Sequence, residues 1–546
     1  MKKYLTISFF LICALFSNAQ KTNQNLDRPK LVVGIVVDQM RWDYLYRFYE
    51  RYGDDGFKRL LSDGFSCENT MLNYIPTYTA IGHSSIYTGS VPSIHGIAGN
   101  DFIRQSTGKW VYCSQDDSAA AVGIPDCKAG KMSPKNLQTT TITDELKLAT
   151  NFRSKVVGVA IKDRGSILPA GHAADAAYWY NGESGKWITS TFYRNNLPEW
   201  LQKFNAQEFP SKKYLKNDWN TLYPLETYVQ SADSIKYEKK FNGQKTPFPV
   251  KLANLSKKEK NNLIALTPFG NTMTLDVAKL ALENEQLGAD EITDFLAISL
   301  SSTDYIGHDF GINSPKIEDC YLRLDRDLAD FLKFLDEKIG EGNYTLFLSA
   351  DHACAHNAEF LQDHNIPAGI FNDSAILSNL NIYLKNIYQK DSIVSTLNNY
   401  QVNFDYKIIK EIPHEELIKN CIEFLEKENS IQYVVEQKNA TQSSVPQAVK
   451  ERIINGYNRE FSGEIQIIVK PAYYHDKKTE GCTHGTWNAH DSHIPLLFFG
   501  KNIPAGSTNR EVYMTDIAPT LAALLKIQMP NGCIGKPIEE IFDDNK

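Results

Sequence analysis

The sequence predicts an α/β fold, in which helices flank a central, mostly parallel sheet and inserted segments cap it. Three observations support this prediction. The sequence contains several apolar runs, an amphipathic helix lies between two of them, and two long stretches interrupt the alternation of strands and helices. The runs are rich in β-branched residues and end at polar or charged ones, which is typical of strands buried on both faces of a parallel sheet. They are Lys30–Asp38, Val156–Lys162, Phe295–Leu300, Tyr344–Ser349 and Ile494–Phe499.

A long amphipathic helix is predicted between the third and fourth of these strands. Apolar residues recur every three or four positions from Ile317 to Ile339, and Gly340 supplies a C-terminal stop. In open α/β sheets, ligands bind beyond the carboxyl ends of the strands. We therefore expect the functional site where the predicted strands end.

Two stretches interrupt the strand and helix alternation. Residues 172–290 are rich in Trp, Tyr and Lys, and residues 365–460 are rich in Asn, Lys and Glu. A chain of 546 residues would allow roughly three or four average domains. Because the candidate site residues described below extend from 38 to 484, we instead predict that residues 20–546 form a single domain with two insertions.

The N terminus has the pattern of a secretory signal peptide. Lys2 and Lys3 precede an apolar run, Tyr4–Phe16, and Ser17–Ala19 supplies small residues for cleavage. We expect residues 1–19 to be removed and the mature chain to be periplasmic or secreted; a buried N-terminal helix is the alternative. No later stretch approaches 18 apolar residues, so no membrane span is expected.

Composition and cysteine pattern exclude several classes of protein. The formal net charge of −7 argues against a nucleic-acid partner, and the 42% hydrophobic content argues against a disordered chain. Eight cysteines remain after Cys13 is cleaved off, which permits disulfides, with Cys113 and Cys127 as the favoured local pair. No C-x-x-C unit is present, so thiolate zinc and thioredoxin-like redox sites lack support.

Acids and histidines recur at the predicted strand ends. Asp304 and His308 are four residues apart and reach one ion if the segment is helical. Asp351 and His352 are adjacent, so their side chains converge only where the strand has given way to a loop. The full set is Asp38, Asp304, His308, Asp351, His352 and His484.

These residue types suit a metal centre. Carboxylate and imidazole ligands without thiolate favour zinc, with iron or manganese as weaker fits. Three Asp and three His are too many for one tetrahedral ion, whereas two ions about 4 Å apart would use them all, as in sites that hydrolyse phosphate esters. Taken singly, an Asp after a strand is often only a helix cap or a turn residue.

A candidate nucleophile and two candidate anion ligands lie elsewhere in the chain. Thr79 is predicted at the first turn of a helix, where unpaired N–H groups favour an anion; a helix cap is the alternative. Its hydroxyl needs a base or a metal ion for activation. Lys162 and Arg164 project to the same side of an extended chain and could address one anion, although such a pair is often solvated surface.

Motifs of other enzyme classes are missing. Gly108-Lys109 is followed by Trp110, so no nucleotide-binding P-loop is present. The sequence also contains no G-x-S-x-G nucleophile elbow and no Cys-x-Pro-x-Arg sulfatase signature.

Seven segments together resemble the alkaline phosphatase superfamily, and within it the PafA-type alkaline phosphatases, which are phosphate-irrepressible and use a Thr nucleophile. The segments occur in the expected order and span nearly the whole mature chain. They are VVDQMRWDYL (36–45), YIPTYTAIGHSSIYTGSVPSIHGIAGND (74–101), IKDRGSILPAGH (161–172), TPFGNTMTLDVA (267–278), SSTDYIGHDFG (301–311), SADHA (349–353) and THGTWNAHDSHIPLLFFG (483–500).

The resemblance implies two Zn²⁺ ions per chain and a role for each candidate residue. Thr79 would attack phosphorus to give a phosphothreonine enzyme. No third carboxylate cluster is visible, so no structural Mg²⁺ is expected. His490 and His493 lie close to His484 in the sequence, so the identity of the last zinc ligand stays open among these three histidines. One zinc would be held by Asp38, Asp351 and His352 and also bind Thr79, the other by Asp304, His308 and His484, while Asn100, Lys162 and Arg164 would hold phosphoryl oxygens.

The implied activity is zinc-dependent hydrolysis of phosphate monoesters, of broad substrate range and active at alkaline pH, by a monomer outside the cytoplasm. The nucleotide pyrophosphatase/phosphodiesterase branch is the main alternative; it looks similar in its zinc ligands and Thr but lacks Lys162-x-Arg164. A non-catalytic anion-binding protein is a second alternative. A manganese phosphoglycerate mutase is disfavoured by the signal peptide and by Thr79.

Overall fold

The computed structural model describes residues 26–230, 235–476 and 480–542, so the predicted signal peptide lies outside the described residues. The strands are β1 Leu31–Val37, β2 Phe65–Cys67, β3 Thr70–Met71, β4 Asp101–Arg104, β5 Lys109–Tyr112, β6 Ala121–Val122, β7 Val156–Ala160, β8 Ala176–Asn181, β9 Lys186–Ser190, β10 Asp294–Leu300, β11 Tyr344–Ser349, β12 Gly369–Phe371, β13 Val394–Thr396, β14 Gln401–Phe404, β15 Ile431–Glu436, β16 Ile465–Val469, β17 Tyr473–His475, β18 His493–Ile494, β19 Leu496–Gly500, β20 Gly506–Thr508 and β21 Val512–Tyr513.

The α-helices cover the faces of the sheets and connect their strands. They are α1 Tyr44–Arg47, α2 Phe57–Asp63, α3 Thr79–Thr88, α4 Pro92–His95, α5 Ile142–Ala149, α6 Asp163–Ala170, α7 Glu199–Ala206, α8 Lys257–Leu263, α9 Phe269–Asn284, α10 Ser302–Phe310, α11 Pro315–Lys338, α12 Ala358–Asp363, α13 Asp373–Tyr388, α14 His414–Leu425, α15 Gln447–Gly456, α16 Ala489–Ser492 and α17 Ile517–Leu525. None of the helices in the described ranges has the length and apolarity needed to cross a membrane.

The central sheet has ten strands in the order β20-β2-β19-β11-β1-β10-β7-β8-β9-β6. The five strands β11, β1, β10, β7 and β8 are parallel to one another, whereas β19 and β9 are antiparallel to the strands beside them. This confirms the predicted α/β fold and shows that the sheet is mixed at its flanks. The last predicted strand, Ile494–Phe499, is divided by Pro495 into β18 and β19, because proline cannot donate a ladder hydrogen bond.

The parallel centre explains where the site residues meet. Every residue of β1 and β10 is buried, as the continuous apolar runs predict. Val37 at the end of β1 is paired in register with Leu300 at the end of β10, so the residues that follow both strands start at the same edge.

The predicted amphipathic helix is α11. The Ser314 hydroxyl caps its N terminus by accepting from the Ile317 N–H, and Pro315 occupies the first turn. Gly340, with φ +94°, follows the C-terminal Ile339. The structure thus confirms both the helix and its stop.

The two interrupting stretches differ in how they relate to the central sheet. The first begins with β8 and β9, which extend the sheet itself, and ends with α9, which packs on β7 and β10. The second forms a four-stranded sheet, β13-β14-β16-β15, with its own core that includes Leu380, Val402, Leu417 and Ile467. This sheet continues past residue 460 to β16. The single-domain organisation stays a prediction.

The expected pairing of Cys113 with Cys127 is wrong. Neither cysteine is bonded in the structure, and the Cys113 sulfur contacts the Ser114 hydroxyl at 3.8 Å instead of a second sulfur. Cys113 is fully buried in the main core, whereas Cys127 lies half-buried at the start of a short helical turn. Closeness along the chain therefore does not bring these two sulfurs together.

Candidate active site

Four parallel strands deliver charged side chains to one point. Asp38 follows β1, Lys162 follows β7, Asp304 lies in the first turn of α10 after β10, and Asp351 follows β11. Lys162 Nζ is 2.7 Å from Asp38 Oδ2 and 2.6 Å from Asp304 Oδ2. The expected convergence at the carboxyl ends of the strands is therefore present in the structure.

Asp38, Asp351 and His352 form the first cluster of potential metal ligands. They are fully buried and offer ligand atoms that all lie within 4.8 Å of one another. His352 Nε2 is 3.4 Å from Asp351 Oδ2 and 3.7 Å from Asp38 Oδ1. These two carboxylate oxygens are buried and lack a hydrogen-bond partner. Buried, unpaired carboxylate oxygens facing an imidazole nitrogen suit a bound cation.

Asp304 is the centre of the second cluster. It shares one face of α10 with His308, whose Nε2 lies 3.1 Å from Asp304 Oδ1, as the four-residue spacing predicts. His484 Nε2 approaches the same oxygen at 3.7 Å. The tight group is Asp304, His352 and His484, with ligand atoms within 4.8 Å, and His308 joins it through Asp304. The His352 and His484 rings stack, with centroids 3.5 Å apart, so the two clusters adjoin.

The three histidines present the same ring atom to the site. The Nδ1 atom of each lies within hydrogen-bond distance of a backbone carbonyl, and a carbonyl oxygen only accepts. Nδ1 therefore carries the hydrogen, and Nε2 is left for a metal ion. The contacts are His352 to Ala353 O at 3.0 Å, His484 to Thr77 O at 2.6 Å and His308 to Cys482 O at 2.8 Å.

His490 and His493 are not part of either cluster. His493 Nε2 lies 2.9 Å from the Glu68 carbonyl oxygen, and its ring stacks on Trp42. His490 Nε2 faces Asp491 at 3.5 Å. The geometry thus favours His484 over both as the candidate ligand from this segment.

Burial and mutual repulsion perturb the ionisable groups of the site. Burial raises the pKa of Asp38 well above its usual range, and Asp351 adds to this. Burial alone would raise the pKa of Asp304 too, but its contact with His308 and the charge of Lys162 outweigh burial and hold that pKa well below the usual range. Burial, with His352 nearby, lowers the pKa of His484 and favours its neutral, coordinating form.

Thr79 is the first residue of α3 and lies against both clusters. Its Oγ1 is 3.4 Å from His352 Nε2 and 3.4 Å from Lys162 Nζ, and the residue is 1% exposed. Gly82 allows the helix this close approach, because a Cβ there would lie 2.2 Å from the Asp351 carbonyl oxygen. The predicted position of Thr79 at a helix start is confirmed.

Asn100, which contacts the residue after Thr79, and Arg164 both have donor groups to spare. Asn100 Oδ1 accepts from the Ala80 N–H at 2.9 Å, so its amide NH₂ is left to donate to an anion. Arg164 donates from Nη1 to the Tyr112 hydroxyl at 3.2 Å, and its buried Nε has no hydrogen-bond partner.

Lys162 and Arg164 were expected to project to the same side of an extended chain, and this expectation is wrong. The extended chain ends at Lys162, which is the N-cap of α6, so Arg164 lies in the first turn of a helix and not in a strand. Lys162 still lies between the clusters, and the Arg164 charge is close enough to counteract the rise in the Lys162 pKa.

Sequence reasoning missed three residues that shape the site. Gln39, in the left-handed conformation with φ +66°, donates from its backbone N–H to Asp351 Oδ1 at 3.1 Å and from Nε2 to Asp304 Oδ1 at 2.7 Å. It thereby links the clusters.

His83 Nδ1 lies 2.9 Å from the Thr79 carbonyl oxygen. Tyr112 donates to Asp163 and orients Arg164. Gln39 could have been found as the neighbour of Asp38; the other two carry no local signal.

Comparison with known proteins assigns this fold and site to a class. The family described as type I phosphodiesterase / nucleotide pyrophosphatase matches residues 32–492. The chain belongs to this family. It also belongs to the alkaline phosphatase superfamily, which is the assignment that the sequence resemblance predicted.

Within that class the chain is similar to alkaline phosphatases over almost its whole length. It is 50% identical to alkaline phosphatase PafA of Elizabethkingia meningoseptica, covering 97% of this chain and 98% of the relative. Alkaline phosphatase PhoV of Synechococcus elongatus is 49% identical over 99% of each chain. A protein of Myroides odoratus named calcium-transporting ATPase is 56% identical, covering 97% and 98%. The chain is a hydrolase of the alkaline phosphatase type.

The likeness extends to the three-dimensional structure. The crystal structure of wild-type PafA matches with a TM-score of 0.92 and 50% identity, covering 94% of this chain and 99% of PafA. A PafA variant with the substitutions T79S, N100A, K162A and R164A matches with a TM-score of 0.91 and 49% identity, covering 94% and 99%. This chain has Thr79, Asn100, Lys162 and Arg164, which are the residue types, with the same numbers, that were replaced in that PafA variant.

Proposed function

We propose that this chain hydrolyses phosphate monoesters in a zinc-dependent reaction that passes through a phosphothreonine at Thr79. The observation that carries the proposal is the position of the Thr79 hydroxyl, 3.4 Å from both His352 Nε2 and Lys162 Nζ, where the two ligand clusters meet. The helix start at Thr79 adds N–H dipoles that favour a bound phosphoryl group.

The two clusters fit zinc in their chemistry. Buried carboxylate oxygens without partners and Nε2 atoms oriented by backbone carbonyls are the donor set that zinc prefers. When bound, two zinc ions would lower the pKa of the attacking oxygens and stabilise charge on the departing one. We propose Asp38, Asp351 and His352 for one ion and Asp304, His308 and His484 for the other, with no structural magnesium.

The protein groups would then act in sequence. The Thr79 oxygen attacks phosphorus and the alcohol leaves, so a phosphate ester forms at Thr79; water then attacks that ester and releases inorganic phosphate. During both steps the Asn100 amide, Lys162 and Arg164 would hold the non-bridging oxygens, where negative charge is concentrated.

Two cations beside the phosphoryl group favour monoesters over diesters. A monoester exposes more negative charge on its non-bridging oxygens, and a diester must also accommodate a second ester group. Burial opposes the charge of Lys162, but Asp304 and Asp38 outweigh it and raise the pKa of Lys162 above its usual range. The pKa of Arg164 is likewise raised, because Tyr112 and Asp163 outweigh its burial. Both groups therefore stay charged at alkaline pH.

One comparison tests the proposed substrate class. On one metal-loaded sample, p-nitrophenyl phosphate should be hydrolysed with a kcat/KM at least about a hundredfold above that for bis-p-nitrophenyl phosphate, equivalent to roughly 3 kcal/mol in the barrier. A preference for the bis ester would assign the chain to the phosphodiesterase alternative. Binding of phosphate without any turnover would support the anion-binding alternative instead.

The physiological setting is part of the same proposal. We propose an exported monomer with a broad substrate range. Export is supported by residues 1–19, which have the pattern of a signal peptide. The terminal phosphoryl group of ATP is singly substituted, as in a monoester. Since one relative is named an ATPase, ATP belongs among the substrates to be tested.

A further inference from the structure

Two buried cysteines lie next to the candidate metal ligands of different loops. Cys354 comes two residues after His352, and Cys482 comes two residues before His484. Both cysteines are 0% exposed, and their Sγ atoms are 2.8 Å apart. No other pair of cysteine sulfurs in the described part of the chain makes such a contact.

This separation is too short for two thiols at rest. Carbon atoms in non-bonded contact lie about 3.5–4.0 Å apart and sulfur is larger than carbon, whereas a disulfide bond measures about 2.05 Å. Each sulfur also has a carbonyl oxygen to receive its hydrogen: Cys354 Sγ lies 3.3 Å from Thr483 O, and Cys482 Sγ lies 3.0 Å from Gly307 O. Either sulfur can also donate to the other, so the two thiols form one direct contact, and a covalent bond would replace that contact.

The backbone holds the two sulfurs in this position independently of any bond. The Ala355 N–H donates to the Thr483 carbonyl at 3.1 Å, which pairs the loops beside the cysteines. His308 Nδ1 donates to the Cys482 carbonyl at 2.8 Å. Bond formation therefore requires only a small movement of side chains that already face each other.

We propose that Cys354 and Cys482 are a redox site whose oxidised form is a disulfide that ties the His352 loop to the His484 loop. The two thiols lose two protons and two electrons as the S–S bond forms. The oxidant is a disulfide, of a protein or a small molecule, whose own S–S bond breaks to give two thiols. The bond joins residues 128 positions apart, so it restricts the unfolded chain and holds two segments of metal ligands together.

Thiol counting in the full-length protein tests the bond directly. The protein, exported through an oxidising compartment or refolded in the presence of oxidised glutathione, is unfolded in alkylating agent without reductant and analysed by mass spectrometry. We expect six of the eight described cysteines to be alkylated and one peptide pair, containing Cys354 and Cys482, to be lighter by two hydrogens. Alkylation of all eight, or a bond between other cysteines, would overturn the proposal.

A second measurement addresses the consequence and rests on the proposed zinc site. The variant Cys354→Ser/Cys482→Ser is compared with Cys320→Ser/Cys421→Ser, which removes two buried cysteines that have no sulfur partner. The oxidised wild type and the oxidised Cys320→Ser/Cys421→Ser control should each lose zinc to a chelator several-fold more slowly than the reduced form of the same protein. The first variant should lose zinc at the fast rate whether or not reductant is present. Identical zinc loss from oxidised and reduced wild type would overturn the role of the bond in holding the ligands. The thiol count does not depend on zinc, so a failure of the proposed function is distinguishable from a failure of this inference.

Discussion

Replacing Thr79 with Ala is expected to lower kcat/KM for an aryl phosphate monoester by at least about a thousandfold, because no other side chain takes over the attack on phosphorus. Thr79 has its hydroxyl at the junction of the two ligand clusters and is 1% exposed, so water does not readily substitute for it in the same geometry. Steady-state phosphate release measures the loss, and zinc content shows whether the ligand clusters survive the substitution.

Two variants separate chemistry from folding in this experiment. Thr79→Ser keeps a hydroxyl and should retain most of the activity that Thr79→Ala loses. Thr88→Ala removes a buried Thr hydroxyl at the other end of α3, where it donates to Ser84 O at 2.7 Å, and should leave turnover near the wild-type rate. A Thr79→Ala enzyme that keeps more than about a tenth of wild-type turnover would contradict the covalent route.

Replacing both Lys162 and Arg164 with Ala is expected to separate monoester from diester hydrolysis. Removing one preorganised group that stabilises negative charge in the transition state lowers the rate by about 10²–10³. The double variant should therefore lose at least about 10³ in kcat/KM for p-nitrophenyl phosphate. A diester carries less charge on its non-bridging oxygens, and its rate should fall by about tenfold. The measurement is kcat/KM for both substrates on each enzyme.

The same strand offers a matched control for this pair. Arg153→Ala/Lys155→Ala removes two cations at the same spacing from the opposite end of β7, away from the site. This control should change neither rate appreciably. Lys162 also contacts Asp38 and Asp304, so zinc content must be measured alongside. Equal losses on monoester and diester in a fully loaded double variant would contradict the role assigned to the two cations.

The sequence was informative about the site where local spacing and strand ends determine geometry. The four-residue spacing of Asp304 and His308 required only that the segment be helical, and α10 supplies that helix. Asp38 and Asp351 follow apolar runs that form adjacent parallel strands, and their convergence is a property of such sheets.

Features that depend on contacts between distant segments were beyond the sequence. Cys354 and Cys482 are 128 positions apart and meet only in the folded chain, whereas the nearby Cys113 and Cys127 do not meet. The antiparallel flanks of the sheet were missed for the same reason, because an apolar run carries no sign of strand direction. Tyr112 reaches Arg164 only because the β4–β5 hairpin folds beside α6.

Zinc titration of one metal-depleted sample tests the central claim most directly. Zinc bound per chain is measured on the same aliquots as phosphate release from p-nitrophenyl phosphate and bis-p-nitrophenyl phosphate. The two ligand clusters predict no turnover without metal, a rise in monoester hydrolysis with added zinc, and a plateau at about two ions per chain. Full monoester turnover in the metal-free protein, or a plateau at one ion, would contradict a two-zinc phosphomonoesterase.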